Sequence, residues 1–231
     1  MDKKILFIGD SFVDGFGDYL FDHEERPFGN FWIDRGFTPY FLGDSSRDTQ
    51  TILDIWVKYI PYLSANDLLV IILPFFGRTR LPRNEYVKTF FNDKIPTFYN
   101  HFIGSKSYTH KENFLEIWGN EYNKEYFNKN LEVQELINGS NASILNYIEV
   151  INSLCKITQC KKIVHCWDQK KFDSDNIIYR EEMTKLIGEW ETGGQLYERT
   201  NGEQGIEGDI HWSDDMNIKF MNFLLKYFKN D

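Results

Sequence analysis

The sequence has few cysteines and no long apolar segment. Its three cysteines, Cys155, Cys160 and Cys166, are odd in number and fit no zinc spacing, so we predict buried free thiols and no metal site. No apolar run approaches the roughly 18 residues that a membrane-spanning helix needs. The first strand follows Met1-Asp2-Lys3-Lys4 directly and is too short for the apolar region of a signal peptide. We therefore expect a cytoplasmic protein that does not span a membrane.

Basic residues are also in the minority. Lys and Arg number 26 against 35 Asp and Glu, which gives a formal net charge of −9. Non-specific nucleic-acid binding depends on clustered basic side chains, so we predict no nucleic-acid partner. Asp10, Asp14 and Asp18 lie four apart and do not match a calcium loop, and we predict no cofactor of any kind.

The chain pattern favours a single α/β domain over residues 1–231. Apolar runs predict strands at 4–9, 37–42, 68–73 and 161–167, with a fifth at 195–199. Helices are predicted between them from apolar residues at helical spacing, and Ser213 is the predicted N-cap of the last helix. The members of these apolar stripes are Ile52, Ile55, Trp56 and Tyr59; Ile144, Leu145, Ile148, Ile151 and Leu154; Tyr179, Met183, Leu186, Ile187 and Trp190; and Phe220, Phe223, Leu224 and Tyr227. Such alternation is typical of a mainly parallel sheet covered on both faces, and it leaves the oligomeric state open.

A serine follows the first predicted strand, where the sequence reads Gly9-Asp10-Ser11. Ser11 would be held at a tight turn before a helix, and its backbone N–H would lie near the positive helix end, where an oxyanion is stabilised. Asp and Ser are also common helix N-caps, so the turn alone supports a capping role equally well.

An acid and a histidine precede the last predicted helix. Among the five histidines, only His211 follows an acid by two residues in a glycine-marked loop at a helix start. Histidine is the usual base for a serine nucleophile because its pKa lies near neutrality, and a carboxylate fixes its tautomer. We therefore predict Ser11 as nucleophile, His211 as base and Asp209 as the orienting acid, with Glu207 as an alternative acid.

Together these residues make the chain resemble the SGNH or GDSL hydrolase superfamily. Gly9-Asp10-Ser11 matches its first motif, and Asp209-x-His211-Trp212 is similar to a variant of its last motif. The acid in the commoner pattern lies three residues before the histidine, where this chain has Gly208. The resemblance implies a three-layer α/β/α, flavodoxin-like fold with a five-stranded sheet.

The resemblance further implies donors for an oxyanion hole. Gly43, after the second predicted strand, fits the glycine of the family's second motif, although glycine is also the ordinary turn residue. The asparagine of the third motif is absent. Arg78 or Arg80 is the predicted replacement, and a solvated or ion-paired surface arginine is the alternative for each.

A long segment, 75–135, separates the third predicted strand from the next clear helix. Fourteen of the chain's 39 Phe, Tyr and Trp residues lie in it. We interpret it either as an insertion or lid that forms a binding cleft, or as a small satellite core.

The implied activity is that of a serine esterase for small acyl esters. By resemblance, the substrates are O-acetyl groups on a small molecule or polysaccharide. The alternatives are an O-acyltransferase with the same residues and a non-catalytic carbohydrate-binding or structural module on the same fold.

Overall fold

A computed structural model of the chain describes residues 3–10, 12–13, 27–43, 48–74, 76, 79–82, 98–101, 137, 140–204 and 212–230. The strands are β1 (Lys3–Ile8), β2 (Phe37–Leu42), β3 (Leu68–Leu73), β4 (Thr79–Pro82), β5 (Phe98–His101), β6 (Lys161–Cys166) and β7 (Ile178–Tyr179). The helices are α1 (Pro27–Ile33), α2 (Thr49–Tyr59), α3 (Asn141–Ile157), α4 (Arg180–Ile187), α5 (Gly193–Arg199) and α6 (Asp214–Asn230), with a 3-10 turn at Ile60–Tyr62.

Five parallel strands form the main sheet in the order β2-β1-β3-β6-β7. Ile8 of β1 lies opposite Leu42 of β2 on one side and Ile71 of β3 on the other. The chain therefore places β2 on one side of β1 and β3 on the other side. This change of direction in the strand order is compatible with a flavodoxin-like fold. The predicted α/β class with a parallel sheet is confirmed. Strands β4 and β5 form a separate antiparallel pair.

The core lies on both faces of this sheet. All six residues of β3 are buried, as expected for a central parallel strand between two helical layers. Ile5 and Phe7 of β1 pack in one cluster, with residues of α4 and α6, whereas Leu6 and Ile8 pack in the other, with residues of α2 and α3. The alternation of strand side chains thus separates the two layers.

Polar side chains cap the first turns of α2, α3 and α6. The Asp48 carboxylate accepts a hydrogen bond from Thr51 N at 2.7 Å at the start of α2, and Ser140 Oγ accepts from Ser143 N at 3.2 Å at the start of α3. Ser213 Oγ accepts from Met216 N at 3.4 Å, which confirms the predicted cap of α6.

The predicted fifth strand at 195–199 is wrong. These residues lie in α5, whose N-cap Thr192 accepts from Gln195 N at 3.2 Å while Gln195 Oε1 accepts from Thr192 N at 2.9 Å. This capping box satisfies two backbone donors and outweighs the weak strand pattern of the segment. The fifth strand is instead the two-residue β7.

The predicted burial of the cysteines is confirmed, since Cys155, Cys160 and Cys166 are all buried free thiols. Burial raises the pKa of Cys155 and of Cys160 to about 11, so both thiols are protonated at neutral pH. Among the helices of the described ranges, none has the length and apolar character needed to cross a bilayer.

Candidate active site

The carboxyl ends of β1 and β3 mark the point where the chain changes direction in the sheet, which is where ligands bind in open α/β folds. Gly9 follows β1 there, and its N–H donates to Leu42 O at 3.3 Å. A Cβ atom at Gly9 would overlap the Val13 side chain and lie 3.0 Å from the carbonyl oxygen of Ile72. Glycine is therefore required for the turn to pack this closely on β3.

Asp10 caps the turn that follows. It is buried, its Oδ1 accepts a hydrogen bond from Phe12 N at 3.1 Å, and its carbonyl accepts from Val13 N at 3.0 Å. Phe12 and Val13 are helical. The capping preference of Asp and Ser therefore explains Asp10, and the turn does not require Ser11 as a cap.

Gly43 lies at the same edge of the sheet. The register that pairs Ile8 with Leu42 brings Gly43, the next residue after β2, beside Gly9. The carboxyl ends of β1 and β2 therefore lie side by side at one edge of the sheet.

A group of aromatic rings covers this edge of the sheet beside the turn after β1. The Phe12 ring lies 3.9 Å from the Trp167 ring and 5.9 Å from the Trp212 ring, measured between centroids. The Trp167 and Trp212 centroids are 5.2 Å apart, and Trp190 lies 4.3 Å from Trp167 and 5.0 Å from Trp212. We call Phe12, Trp167, Trp190 and Trp212 the aromatic cluster.

Backbone pairing fixes the position of Trp212. Thr192 and Trp212 form an antiparallel bridge, and Ser213 N donates to Glu191 O at 3.0 Å. The Glu191 carboxylate in turn forms an ion pair with Arg199 of α5 at 2.7 Å. The segment before α5 thus holds the segment before α6 against the sheet.

His165 lies beneath the aromatic cluster and is completely buried. Its Nδ1 lies 2.8 Å from Ile178 O, and its Nε2 has no hydrogen-bond partner among the described residues. Burial, with a smaller effect of the Arg180 charge, lowers the pKa of His165 to about 4, so the imidazole is neutral at physiological pH. The sequence does not indicate that His165 is buried with a lowered pKa, because the histidine lies within the apolar run of strand β6.

Trp167 follows β6 directly at the same edge. Its backbone N–H donates to Leu73 O at 3.1 Å, and its side chain is 6% exposed. Its indole Nε1 has no hydrogen-bond partner in the described part of the chain. The sequence pattern predicts Trp167 only as the last residue of a strand, although an aromatic residue with a polar edge at a strand end is a usable signal of a site.

Several predicted site residues lie outside the described residues: Ser11, Arg78, Glu207, Asp209 and His211. Arg80 belongs to β4, and Gly43 directly follows β2. Of the predicted insertion 75–135, the described part comprises Phe76, β4 and β5. The structure brings together Phe12 and Trp212, which are the chain neighbours of Ser11 and His211.

No protein-family model matches this chain, and no curated protein matches it. The case for a function therefore depends on the residues and on the geometry around them.

Proposed function

We propose that this chain is a serine esterase with the SGNH hydrolase fold that removes small acyl groups, in particular O-acetyl groups, from carbohydrate. Ser11 attacks the ester carbonyl, His211 takes the serine proton and later donates it to the leaving alcohol, and Asp209 orients His211. Water then hydrolyses the acyl-enzyme with His211 as base. The Ser11 and Gly43 N–H groups stabilise the oxyanion.

The observation that carries this proposal is the contact between the Phe12 and Trp212 rings, 5.9 Å between centroids. Ser11 directly precedes Phe12 and His211 directly precedes Trp212, although about 200 residues separate the two segments. Consecutive Cα atoms are about 3.8 Å apart, so the contact limits the separation between the serine and the histidine. Contact between the two segments that carry the serine and the histidine supports their assignment as nucleophile and base.

The sheet and the turn after β1 give further support. The strand order β2-β1-β3-β6-β7 is the flavodoxin-like order that the SGNH resemblance implies. Because Asp10 provides the helix cap, a role in chemistry becomes the better explanation for the serine that follows it.

We assign the missing oxyanion donor to the Trp167 indole N–H. It is a buried donor without a partner among the described residues, and its ring packs against that of Phe12. An unpaired buried donor is costly, and a substrate oxygen would satisfy it. Arg78 and Arg80, the donors predicted from the sequence, are the alternatives to Trp167.

Labelling with a fluorophosphonate tests the nucleophile. We expect intact mass to show one adduct on the native chain and none on Ser11→Ala. Ser153→Ala is a matched control, because Ser153 is exposed on α3 and its Oγ donates only to Glu149 O. This control should label like the native chain. Equal labelling of Ser11→Ala, or no labelling of the native chain while a control esterase reacts, would refute the assignment.

Hydrolysis of a short activated ester tests the base and the acid. We expect His211→Ala to abolish turnover and Asp209→Ala to leave residual turnover, with circular dichroism unchanged in both. A greater loss in Glu207→Ala than in Asp209→Ala would show that Glu207 is the orienting acid.

Product analysis separates the esterase from the alternatives. With an O-acetylated saccharide we expect free acetate to be released. Acetyl transfer to an added sugar in preference to water would identify an acyltransferase. Saccharide binding without labelling or turnover would identify a binding module.

A further inference from the structure

A pocket of about 500 Å³ opens at the amino-terminal edge of the sheet, the edge opposite Gly9 and the aromatic cluster. The first residues of four strands contribute to it, because β1, β2, β3 and β6 begin there. Those residues are Lys3, Phe37, Leu68 and Lys161. The pocket is closed by residues of α1 and α6, by the turn after α1 and by the turn before β3. Its volume is within the range of small-molecule sites.

Positive charge is concentrated around this pocket. Four cationic side chains line it, namely Lys3, Arg35, Lys161 and Lys229, with Asp67 as the one acidic side chain among its lining residues. The whole chain has the opposite balance, with 35 acidic and 26 basic residues. This local excess of cations therefore does not follow from composition.

The carboxylate of Asp67 is already engaged. It accepts hydrogen bonds from Lys4 N at 2.8 Å and from Ser64 N at 2.7 Å, and these bonds hold the pKa of Asp67 below its usual value despite burial. The ion pairs found among the described residues involve Lys170 and Arg199, and none includes a cation of this pocket. The four positive charges are thus left without a carboxylate partner in the described part of the chain.

Two of the cations are held in place by the protein. The Arg35 guanidinium lies 3.8 Å from the centre of the Phe31 ring, and its Nη1 donates to Phe31 O at 2.6 Å. Lys161 Nζ donates to Phe228 O at 3.0 Å. Such anchoring lowers the entropy that these side chains would lose when an anion binds.

The floor of the pocket is apolar and aromatic. Trp32 is completely buried, and its Nε1 donates to Met221 Sδ at 3.3 Å, so its polar atom is occupied. Phe37, Leu225 and Phe228 complete this surface. The pocket therefore combines an apolar floor with a cationic rim.

We propose that this pocket binds a small organic anion with an apolar body. The carboxylate, sulfonate or phosphate group of the ligand lies among Lys3, Arg35, Lys161 and Lys229, and its apolar part lies on Phe37 and Leu225. The site is separate from the proposed esterase site and does not depend on it.

Calorimetric titration with naphthalene-1-sulfonate tests the proposal, with the neutral 1-naphthylmethanol as its counterpart. We expect the sulfonate to bind at one site at least tenfold more tightly than the alcohol. The double variant Lys3→Gln/Arg35→Gln should weaken sulfonate binding at least tenfold and leave the weak alcohol binding unchanged. Both altered residues are exposed, so the fold should be retained.

The matched control is Lys156→Gln/Lys185→Gln, which removes the same charge from exposed lysines of α3 and α4 outside the pocket. It should bind the sulfonate like the native chain. The proposal is overturned if the control loses as much affinity as the pocket variant, if the alcohol binds as tightly as the sulfonate, or if no binding is detected.

Discussion

At the scale of single residues, His165 is completely buried, and its Nε2 has no hydrogen-bond partner among the described residues. The pKa of this histidine is about 4 in the folded chain, below its ordinary value of 6.5. Between these two pH values the unfolded chain binds a proton that the folded chain does not. His165 therefore makes the free energy of unfolding depend on pH.

We predict that the free energy of unfolding falls as the pH is lowered from 6.5 to 4. The contribution of His165 is fully present above pH 6.5 and decreases by about 3 kcal/mol by pH 4. Urea unfolding of the native chain and of His165→Asn, at pH 7.5 and at pH 4, measures it. Carboxylates titrate in both proteins. The difference between the two proteins in how the free energy of unfolding changes with pH therefore gives the contribution of the His165 imidazole. An identical pH dependence would contradict the prediction.

Trp167 supports a second prediction at this scale. Trp167→Phe keeps an aromatic ring against Phe12 but removes the indole N–H. If that N–H donates to the oxyanion, kcat should fall by about 100-fold or more with little change in KM, as for the loss of one oxyanion donor. Trp190→Phe is the control, since its Nε1 donates to Thr184 Oγ1 and already has a partner. Equal kcat losses in the two variants would indicate a packing role.

The residue scale also shows what sequence can and cannot provide. The Ser213 cap and the buried cysteines could be predicted, because each depends on a local pattern or on composition. The lowered pKa of His165 could not, because it arises from burial against Trp190 and Trp212, which are distant in sequence, as well as against nearby Trp167. The contact of Phe12 with Trp212 is equally non-local.

At the scale of elements, Gly9 determines how β1 joins the turn that follows it. The Ile72 carbonyl oxygen and Cβ would lie 3.0 and 3.2 Å from an added methyl group. Both atoms belong to or adjoin the backbone of central strand β3 and have little freedom to move.

We predict that Gly9→Ala destabilises the chain by about 1 to 3 kcal/mol, the usual effect of overpacking a well-packed site. Chemical denaturation measures the change. Gly36→Asn is the control, because Gly36 has φ +78° with open space around it, and asparagine tolerates this conformation. A smaller loss in Gly9→Ala than in Gly36→Asn would show that β1 and β3 adjust freely.

Element prediction from sequence succeeded where the signals were strong. Apolar runs predict the strands β1, β2, β3 and β6, and apolar stripes at helical spacing predict the helices α2 and α3. The structure confirms these strands and helices. The strand pattern of the α5 segment is misleading, because the capping box of Thr192 and Gln195 starts a helix there. Strand β7, with two residues, is too short to give a periodic signal.

At the scale of the whole molecule, the sheet has a protected centre and less protected edges. Strand β3 is buried along its entire length, whereas alternate residues of edge strand β2 are exposed. Strand β2 pairs with β1 alone, so its outer side lacks a hydrogen-bonding strand within the described ranges.

We predict that amide hydrogen exchange follows this arrangement. Peptides from β3 should exchange through global unfolding and β2 peptides through smaller openings, so β2 exchanges faster at neutral pH. Mass spectrometry of peptic fragments over hours measures both. Faster exchange in β3 would contradict the proposed order of stability.

The aromatic cluster also gives the molecule an optical property. Three of its members, Trp167, Trp190 and Trp212, are half of the six tryptophans of the chain, and all three surround His165. Indoles packed this closely couple their excited states, and a protonated imidazole quenches indole emission. Near-ultraviolet dichroism and intrinsic fluorescence therefore include a signal from beside the turn after β1, and protonation of His165 can be followed through it without an added label.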